Sequence, residues 1–247
     1  MLKISTILRP AAVLLGLCMS LEICPAADRV MPAPLAQFRF NGDGKDETKA
    51  NPAFELKNTQ FKDNALYLNG KYEHNSSTKD GYHAVCMTPK LDYTKFTVAL
   101  RFKPEEFGSD QNNLLTGGKS CRWFGMNRSA AGNLTITLNN QRFTHEIKGA
   151  AIEKGKWTVV ACGVDLSAHK VVVYLNGKES ADIDLPKDFK LDVLDSRFKD
   201  TDKNWSFTNY SIGSVFHGLV DGLVIYGEML SPEELAQVSQ SQGESPK

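Results

Sequence analysis

The part of the sequence that most constrains the fold is a strongly apolar segment near the C-terminus, Phe216 to Tyr226. In an extended strand alternate side chains point to opposite faces, and in this segment both faces are apolar. One face carries Leu219, Leu223 and Ile225, and the other carries Val220, Val224 and Tyr226. The segment is therefore predicted to be a strand that is covered on both sides.

The same strand contains an acidic residue, Asp221, on the face of the leucines. An isolated charge inside a protein costs far more free energy than the fold can supply. The Asp221 carboxylate must therefore be ion-paired, hydrogen-bonded or bound to a metal.

The strand is followed by the signature of a helix start. Ser231 occupies the predicted N-cap, Pro232 the first helical position, and Glu234 completes a capping box. In such a box the serine and glutamate side chains satisfy backbone amides that the first helical turn leaves free. The pattern predicts a short C-terminal helix.

The middle of the chain consists of short apolar segments separated by turn residues. One strand runs from Phe96 to Phe102 and is expected to end at Pro104. Another segment turns at Asn139-Asn140 and returns through Phe143, and Asn176-Gly177 is the strongest hairpin signal in the chain. The pattern is typical of a sandwich of antiparallel sheets.

Three groups of residues resemble the laminin-G-like, concanavalin A-like jelly-roll domains. The closing segment matches at Phe216, Gly218, Asp221, Tyr226, Leu230, Ser231, Glu233 and Glu234. A strand led by tryptophan and the strand after it match at Trp157, Asp165, Val173, Tyr174, Asn176 and Gly177. The opening strand and its polar loop match at Phe38, Phe40, Asn41, Gly42, Asp43 and Asp46. The resemblance spans Gln37 to Val238 and implies an all-β fold, a concanavalin A-like jelly-roll sandwich of two antiparallel sheets with a short C-terminal helix.

The N-terminal residues have the pattern of a secretory signal peptide. Lys3 and Arg9 precede an apolar run over residues 11–19, which is too short to span a bilayer, and cleavage is expected near Ala26 or Ala27. We therefore predict a signal peptide over residues 1–27, a linker over 28–36, one domain over 37–240 and a disordered tail over 241–247. The protein is expected to be secreted, to the extracellular space or the periplasm.

Charge and cysteine content restrict the partners and the covalent structure. The 29 Lys and Arg residues equal the 29 Asp and Glu residues, so the chain has no positive excess for nucleic acid or an anionic membrane. Three cysteines follow the signal peptide, Cys86, Cys121 and Cys162, so at most one intramolecular disulfide can form. The sequence does not select the pair, and either a structural disulfide or buried thiols are expected.

Three aspartates are candidates for a structural calcium site. Asp43 and Asp46 lie in the opening loop and Asp221 in the closing strand, and the first and last strands of the resembled fold lie near each other. Calcium takes six to eight oxygen ligands, which aspartates and loop carbonyls can supply. The alternative is that Asp221 accepts hydrogen bonds from backbone amides of a neighbouring loop.

Two aromatic segments are candidates for ligand binding. One contains Arg122 and Trp123, and the other contains Trp205 and Tyr210. Exposed aromatic rings at a loop rim are suited to sugar binding, but large aromatic residues also dominate sandwich cores, so packing is the alternative for each. Trp157 is expected to lie in the core.

The sequence offers little support for catalysis. Glycoside hydrolysis needs two carboxylates on one surface, and the nearest arrangement is Asp182 and Asp184, which share a face of a predicted polar edge strand. A Gly-x-Ser-x-Gly elbow is absent from the sequence, and its histidines lack partners at informative spacing.

The resemblance therefore implies a non-catalytic binding module, with a glycan as its first expected ligand and an extracellular protein as its second, and we expect it to be a monomer. Two alternatives stay open. The chain could be a glycoside hydrolase or lyase whose acids converge from different strands, or a structural or adhesion component of a surface assembly.

Overall fold

The computed structural model describes residues 30–68, 83–87, 91–107, 112–118, 123–139, 141–191, 204–207 and 216–241. From Pro32 onward these residues belong to one compact unit, and only residues 30 and 31 of a separate N-terminal unit are described. The predicted signal peptide and most of the predicted tail lie outside the described residues.

The described residues form fifteen strands and one helix. In chain order they are β1 (Ala36–Phe38), β2 (Glu55–Lys57), β3 (Gln60–Lys62), β4 (Ala65–Leu68), β5 (His83–Met87), β6 (Lys95–Phe107), β7 (Asn112–Gly117), β8 (Phe124–Arg128), β9 (Asn133–Leu138), β10 (Phe143–Ala151), β11 (Thr158–Asp165), β12 (Lys170–Leu175), β13 (Lys178–Asp184), β14 (Asn204–Ser206), β15 (Phe216–Tyr226) and α1 (Pro232–Ser241).

The strands form two antiparallel sheets, as the sequence predicts. Sheet A has the order β13-β12-β11-β6-β15-β4-β3, and β1 pairs with β15 beyond the end of β4. Sheet B has the order β10-β9-β8-β7-β14-β5-β2. The fold is a jelly-roll sandwich with a single short C-terminal helix among the described residues.

Strand β15 lies at the centre of sheet A and contains a β-bulge. Val220 pairs with Phe102 and Leu223 pairs with Leu100, so Asp221 and Gly222 together lie opposite Arg101. Gly222 has a φ of 81°, a conformation that glycine adopts without strain.

The bulge changes which residues of β15 share a face. Val220, Leu223 and Ile225 all belong to the core between the sheets, although simple alternation separates the first from the other two. The predicted face assignment is therefore wrong beyond Val220, because an extra residue in a strand reverses the alternation. The prediction that both faces are covered is confirmed, since Leu219 and Val224 on the outer side are also buried.

Strand β6 continues beyond the expected end at Pro104 and reaches Phe107. Its pairing with β11 ends at Phe102, and from there only β15 pairs with it. A proline without a backbone N–H is tolerated where one side of a strand has no neighbour, which explains why the strand is not broken.

The core between the sheets is rich in aromatic rings. Trp123 and Trp205 are fully buried, with ring centroids 4.5 Å apart, and both contact Phe96 and Phe124. Edge-to-face pairs of this kind add about 1 kcal/mol each beyond the area they bury.

The predicted capping box at the start of α1 is confirmed. The Ser231 amide donates to Glu234 Oε2 at 2.7 Å, and the Glu234 amide donates to Ser231 Oγ at 3.3 Å. The hydroxyl of Thr97 on β6 donates to the Glu228 carbonyl and accepts from the Leu230 amide, which fixes the connection from β15 to the helix.

The predicted hairpin at Asn176-Gly177 is also confirmed, and it joins β12 to β13. Both residues have positive φ, 50° and 81°, as a two-residue hairpin turn of this type requires. The Asn176 side chain accepts a hydrogen bond from the Val159 amide at 2.8 Å and ties the turn to β11.

Gly218 is required by a close approach between β15 and β6. A Cβ atom there would overlap the Lys103 carbonyl oxygen and lie 2.9 Å from Pro104 Cα, and the φ of Gly218 is 150°.

We expect Gly218→Ala to lower the free energy of unfolding by about 3 kcal/mol in urea denaturation. The control is Gly149→Ala, where φ is 81° but a Cβ would meet nothing within 4 Å, so a loss of only about 1 kcal/mol is expected. Equal losses in the two variants would contradict the steric explanation.

Asp165 stabilises the turn that follows β11. Its Oδ1 accepts hydrogen bonds from the Ser167 amide, the Ser167 hydroxyl and the Ala168 amide, and its Oδ2 lies 3.0 Å from the Lys95 ammonium. Burial alone would raise the pKa of Asp165, but these hydrogen bonds and the lysine charge lower it to about 2.

We expect Asp165→Asn to lower the free energy of unfolding by about 2 kcal/mol at pH 7. Because the pKa is lowered in the folded state, this stabilisation is complete above the ordinary value of 3.8 and is lost as the pH falls towards about 2. Urea titrations across this range measure the effect. Asp182→Asn, at an exposed ion pair, is the control and should change stability by less than about 0.5 kcal/mol. A difference between native and Asp165→Asn protein that does not shrink below pH 3 would contradict the assignment.

Candidate ligand-binding site

Two of the predicted ligand-binding residues lie in the core. The side chains of Trp123 and Trp205 are 0 % exposed, so neither ring has a face available to a ligand. The packing alternative is the one found for both, because their rings fill the space between the sheets. Arg122 and Tyr210 lie outside the described residues.

The three predicted calcium ligands do not form one group. Among the described residues, no three His, Cys, Asp or Glu side chains are placed to hold a metal ion, and Asp43, Asp46 and Asp221 are all described. Each of the three carboxylates has other partners in the structure. Calcium binding itself stays a prediction from the sequence.

Asp46 organises the opening loop through hydrogen bonds. Its two carboxylate oxygens accept from the Gln37 amide at 2.9 Å, from the amide and hydroxyl of Thr48, from the Ala50 amide, and from the amide and side chain of Asn51. Burial alone would raise the pKa of Asp46, but these hydrogen bonds lower it below its ordinary value. Asp43 lies on the surface, where Lys45 pairs with it at 3.0 Å.

Asp221 forms an ion pair with Arg101, which lies opposite it across the β15 bulge. Burial raises the pKa of Asp221, and the Arg101 charge opposes that effect. The sequence required a partner for this carboxylate, and the partner is an arginine of the neighbouring strand.

Trp157 lies on the outer side of sheet A and is only partly buried, so its predicted place in the core is wrong. The guanidinium carbon of Arg101 lies 3.9 Å from the centroid of its ring, and the Lys103 ammonium lies 5.6 Å from it. Stacking against cations stabilises an indole ring that is not enclosed by the core.

An open cleft lies where the β9–β10 turn meets the segment after β13. Its volume is about 320 Å³, and its lining residues are Asn139, Arg142, Phe143, Pro186, Asp188, Phe189 and Lys190. The Asn139 side chain donates to the Lys190 carbonyl at 2.9 Å, which joins the two walls. The Phe143 and Phe189 rings meet edge to face with centroids 5.9 Å apart.

The lining of this cleft combines apolar and polar surface. Phe143 and Phe189 are partly buried, whereas the side chains of Arg142, Asp188 and Lys190 are exposed around them. The volume falls at the lower end of the range for small-molecule sites, which usually pair apolar walls with a few polar groups. The arrangement suits a small ligand with an apolar face and several hydroxyl groups.

The cleft is not visible in the sequence, which places Phe143 on a strand returning from a turn and Phe189 among charged residues. One wall comes from the β9–β10 turn and the start of β10 at the edge of sheet B, and the other comes from the segment that follows β13 at the edge of sheet A. Aromatic residues beside a turn and inside a charged loop were the available signal.

Together the two sheets and the edge cleft define a jelly-roll domain of the lectin-like class. The chain belongs to the concanavalin A-like lectin/glucanases superfamily, because the model of a laminin-G-type family of that superfamily matches residues 77–236. This confirms the resemblance found in the sequence. No curated protein matches the chain significantly in sequence.

Several solved structures share the fold at low sequence identity. The receptor-binding domain of the botulinum neurotoxin C/D mosaic serotype is 13% identical, with a TM-score of 0.62, and the match covers 86% of this chain and 52% of that one. The neurotoxin DC binding domain in complex with rat synaptotagmin II is 13% identical, with a TM-score of 0.59 and coverages of 85% and 51%. This chain thus spans about half the length of the neurotoxin domains that it matches.

The match to a third solved structure covers nearly the whole of that structure's chain. It is domain 4 of AbnA, a GH43 extracellular arabinanase from Geobacillus stearothermophilus, in complex with arabinotriose. It is 22% identical, with a TM-score of 0.56, and the match covers 84% of this chain and 98% of that one. At these identities the similarity establishes the fold.

Within the part of the chain that the structure describes, no helix has the length and apolar character needed to cross a membrane.

The two described cysteines of the domain are buried thiols, and the Cys86 thiol donates to the Pro52 carbonyl at 3.3 Å. Burial raises the pKa of Cys86 to about 12, and burial likewise raises the pKa of Cys162. A disulfide at either position is therefore not found, and Cys121 lies outside the described residues.

We expect Cys86 and Cys162 to resist alkylation by iodoacetamide at pH 8 in the native protein and to react fully in guanidinium chloride, because the thiolate is the reactive form and burial suppresses it. Mass spectrometry of peptides measures the modification of each cysteine. Rapid alkylation of either residue in native protein, or its recovery in a disulfide-linked peptide, would contradict the buried-thiol assignment.

Proposed function

We propose that this protein is a non-catalytic carbohydrate-binding module that holds an oligosaccharide in the edge cleft. The observation that carries the proposal is the pairing of Phe143 and Phe189 with Arg142, Asp188 and Lys190 around one open volume. The C–H bonds of a sugar ring carry partial positive charge and pack against an aromatic ring. Charged side chains at the rim can exchange hydrogen bonds with the hydroxyl groups.

The similar structures support this class of ligand. The arabinanase domain was solved with arabinotriose bound, and a neurotoxin DC binding domain was solved in complex with SialylT. A protein ligand is the second candidate, since another structure of the neurotoxin domain contains synaptotagmin II. The fold family does not distinguish a sugar ligand from a protein ligand, so the proposal rests on the residues that line the cleft.

The lining residues also support a role without catalysis. Among the seven residues that line the cleft, Asp188 is the single carboxylate, whereas glycoside hydrolysis uses two. Asp182 and Asp184, the nearest acidic pair in the sequence, both lie within 3 Å of the Lys170 ammonium at an exposed edge. Their distances, 2.9 and 2.8 Å, fit surface ion pairs of an edge strand.

The place of action that we propose is outside the cytoplasm, because residues 1–27 have the pattern of a signal peptide. This part of the proposal rests on the sequence alone.

A glycan array with calcium and with chelator identifies the sugar, and isothermal titration with arabinotriose or the best array ligand then measures the affinity. We expect Phe189→Ala to weaken binding about tenfold, since it removes half of the aromatic surface. Lys190→Ala should weaken it about threefold without disturbing the cleft, because only the Lys190 backbone carbonyl joins the walls.

The matched control is Phe61→Ala, which removes a 38 % exposed ring from edge strand β3. Thermal unfolding verifies that each variant folds. Unchanged affinity in both cleft variants would place the sugar elsewhere, release of reducing sugar would favour the hydrolase, and an array without any hit would favour a protein ligand.

A further inference from the structure

A second surface with the chemistry of a binding site lies on the outer face of sheet A. Leu219 of β15 pairs with Tyr67 of β4 on one side and with Lys103 of β6 on the other. Leu66, Leu68 and Phe102 belong to the core, so Tyr67 and Lys103 point to the opposite, outer face. We call this row, completed by Trp157, the outer row.

Trp157 extends the row by one strand. It directly precedes Thr158, and Thr158 pairs with Phe102, so Trp157 lies beside Lys103. The row therefore crosses β4, β15 and β6 and ends at Trp157, just before β11 begins. Its ends are about 14 Å apart at the usual strand spacing. Tyr67, Lys103 and Trp157 are each partly exposed. A row of this length on a sheet face suits an extended chain better than a single sugar.

The Trp157 ring is held in place from below. Arg101 is only 4 % exposed, its guanidinium carbon lies 3.9 Å from the ring centroid, and its ion pair with Asp221 fixes it in turn. Trp157 nevertheless keeps part of its surface in solvent. A ring that is immobilised before the ligand arrives loses little conformational entropy on binding.

Lys103 is the charged group of the row that has no acidic partner. Lys62 pairs with Glu105 at 3.4 Å, and Arg101 pairs with Asp221. Among the described residues no carboxylate pairs with Lys103, whose ammonium lies 5.6 Å from the Trp157 ring centroid. Among the described residues Lys103 thus carries a positive charge without an ion pair and lies between two aromatic residues, whereas the exposed Glu106 lies at the Tyr67 end of the row.

We propose that the outer row binds an extended polysaccharide whose sugars carry carboxylate groups. Trp157 and Tyr67 pack against sugar rings, and Lys103 pairs with a carboxylate between them. Of the acidic groups near the row, Glu105 and Asp221 are ion-paired and Glu106 lies at the Tyr67 end, so a ligand carboxylate beside Trp157 meets Lys103. The outer row shares no residue with the edge cleft, so the two sites are independent.

The test compares two probes that differ only at their carboxyl groups, which are charged in one and methyl-esterified in the other. Tetragalacturonic acid and its methyl ester are titrated into the purified protein at low ionic strength by calorimetry. We expect the acid to bind about fivefold more tightly than the ester, as an exposed ion pair allows. The preference should fall as salt is added, because salt screens exposed charges.

Lys103→Gln should abolish the preference for the acid and leave binding of the ester unchanged. Trp157→Phe should weaken both probes about threefold while the smaller ring retains the packing against Arg101. Lys178→Gln, an exposed lysine on the edge strand β13, is the matched control and should change neither probe. Thermal unfolding verifies that each variant folds.

Equal binding of acid and ester, no binding of either, or a preference that survives Lys103→Gln would overturn the proposal. Phe189→Ala separates it from the edge cleft. Loss of tetragalacturonate binding in that variant would assign the ligand to the cleft and overturn the outer row, whereas unchanged binding there supports it.

Discussion

The pairing of β15 with β6 is the constraint on which the rest of the structure depends. These two strands form the centre of sheet A, and the bulge in β15 sets two residues, Asp221 and Gly222, against Arg101 alone. The extra residue reverses the alternation of β15, so Leu223 and Ile225 enter the core while Asp221 stays on the outer side. Without the bulge Asp221 and Leu223 would share a face, so either the charge would enter the space between the sheets or the leucine would leave it.

The Arg101–Asp221 ion pair extends the effect of the bulge to the outer face. Burial of a charge is costly, and two opposite charges with good geometry largely offset that cost without giving a large net gain. Removing one partner leaves the other charge buried and unpaired, so the two residues depend on each other. Trp157 stacks on the same guanidinium. The register of β15 and β6 therefore also determines the orientation of a ring on the surface.

The aromatic residues lie at different depths in the sandwich, and their depth decides which rings keep surface in solvent. Trp123 and Trp205 pack against each other between the sheets and have no surface to offer. The rings that remain accessible lie at the periphery, Phe143 and Phe189 at the edge cleft and Trp157 on the outer face. A rigid core of large rings thus supports two separate peripheral surfaces, which agrees with the general tendency of such folds to place function on edges and loops.

The sequence by itself determined the fold class, the C-terminal capping box, the Asn176-Gly177 turn and the need for a partner at Asp221, because these depend on local patterns of side chains and turn residues. It could not determine the identity of that partner, since Arg101 and Asp221 are 120 positions apart and meet only through strand register. Strand register, which the sequence does not show, likewise hid the bulge and the place of Trp157 on the outer face. The edge cleft was decided by tertiary structure alone, because one wall begins β10 of sheet B, the other follows β13 of sheet A, and only the packing of the sheets brings Phe143 to Phe189.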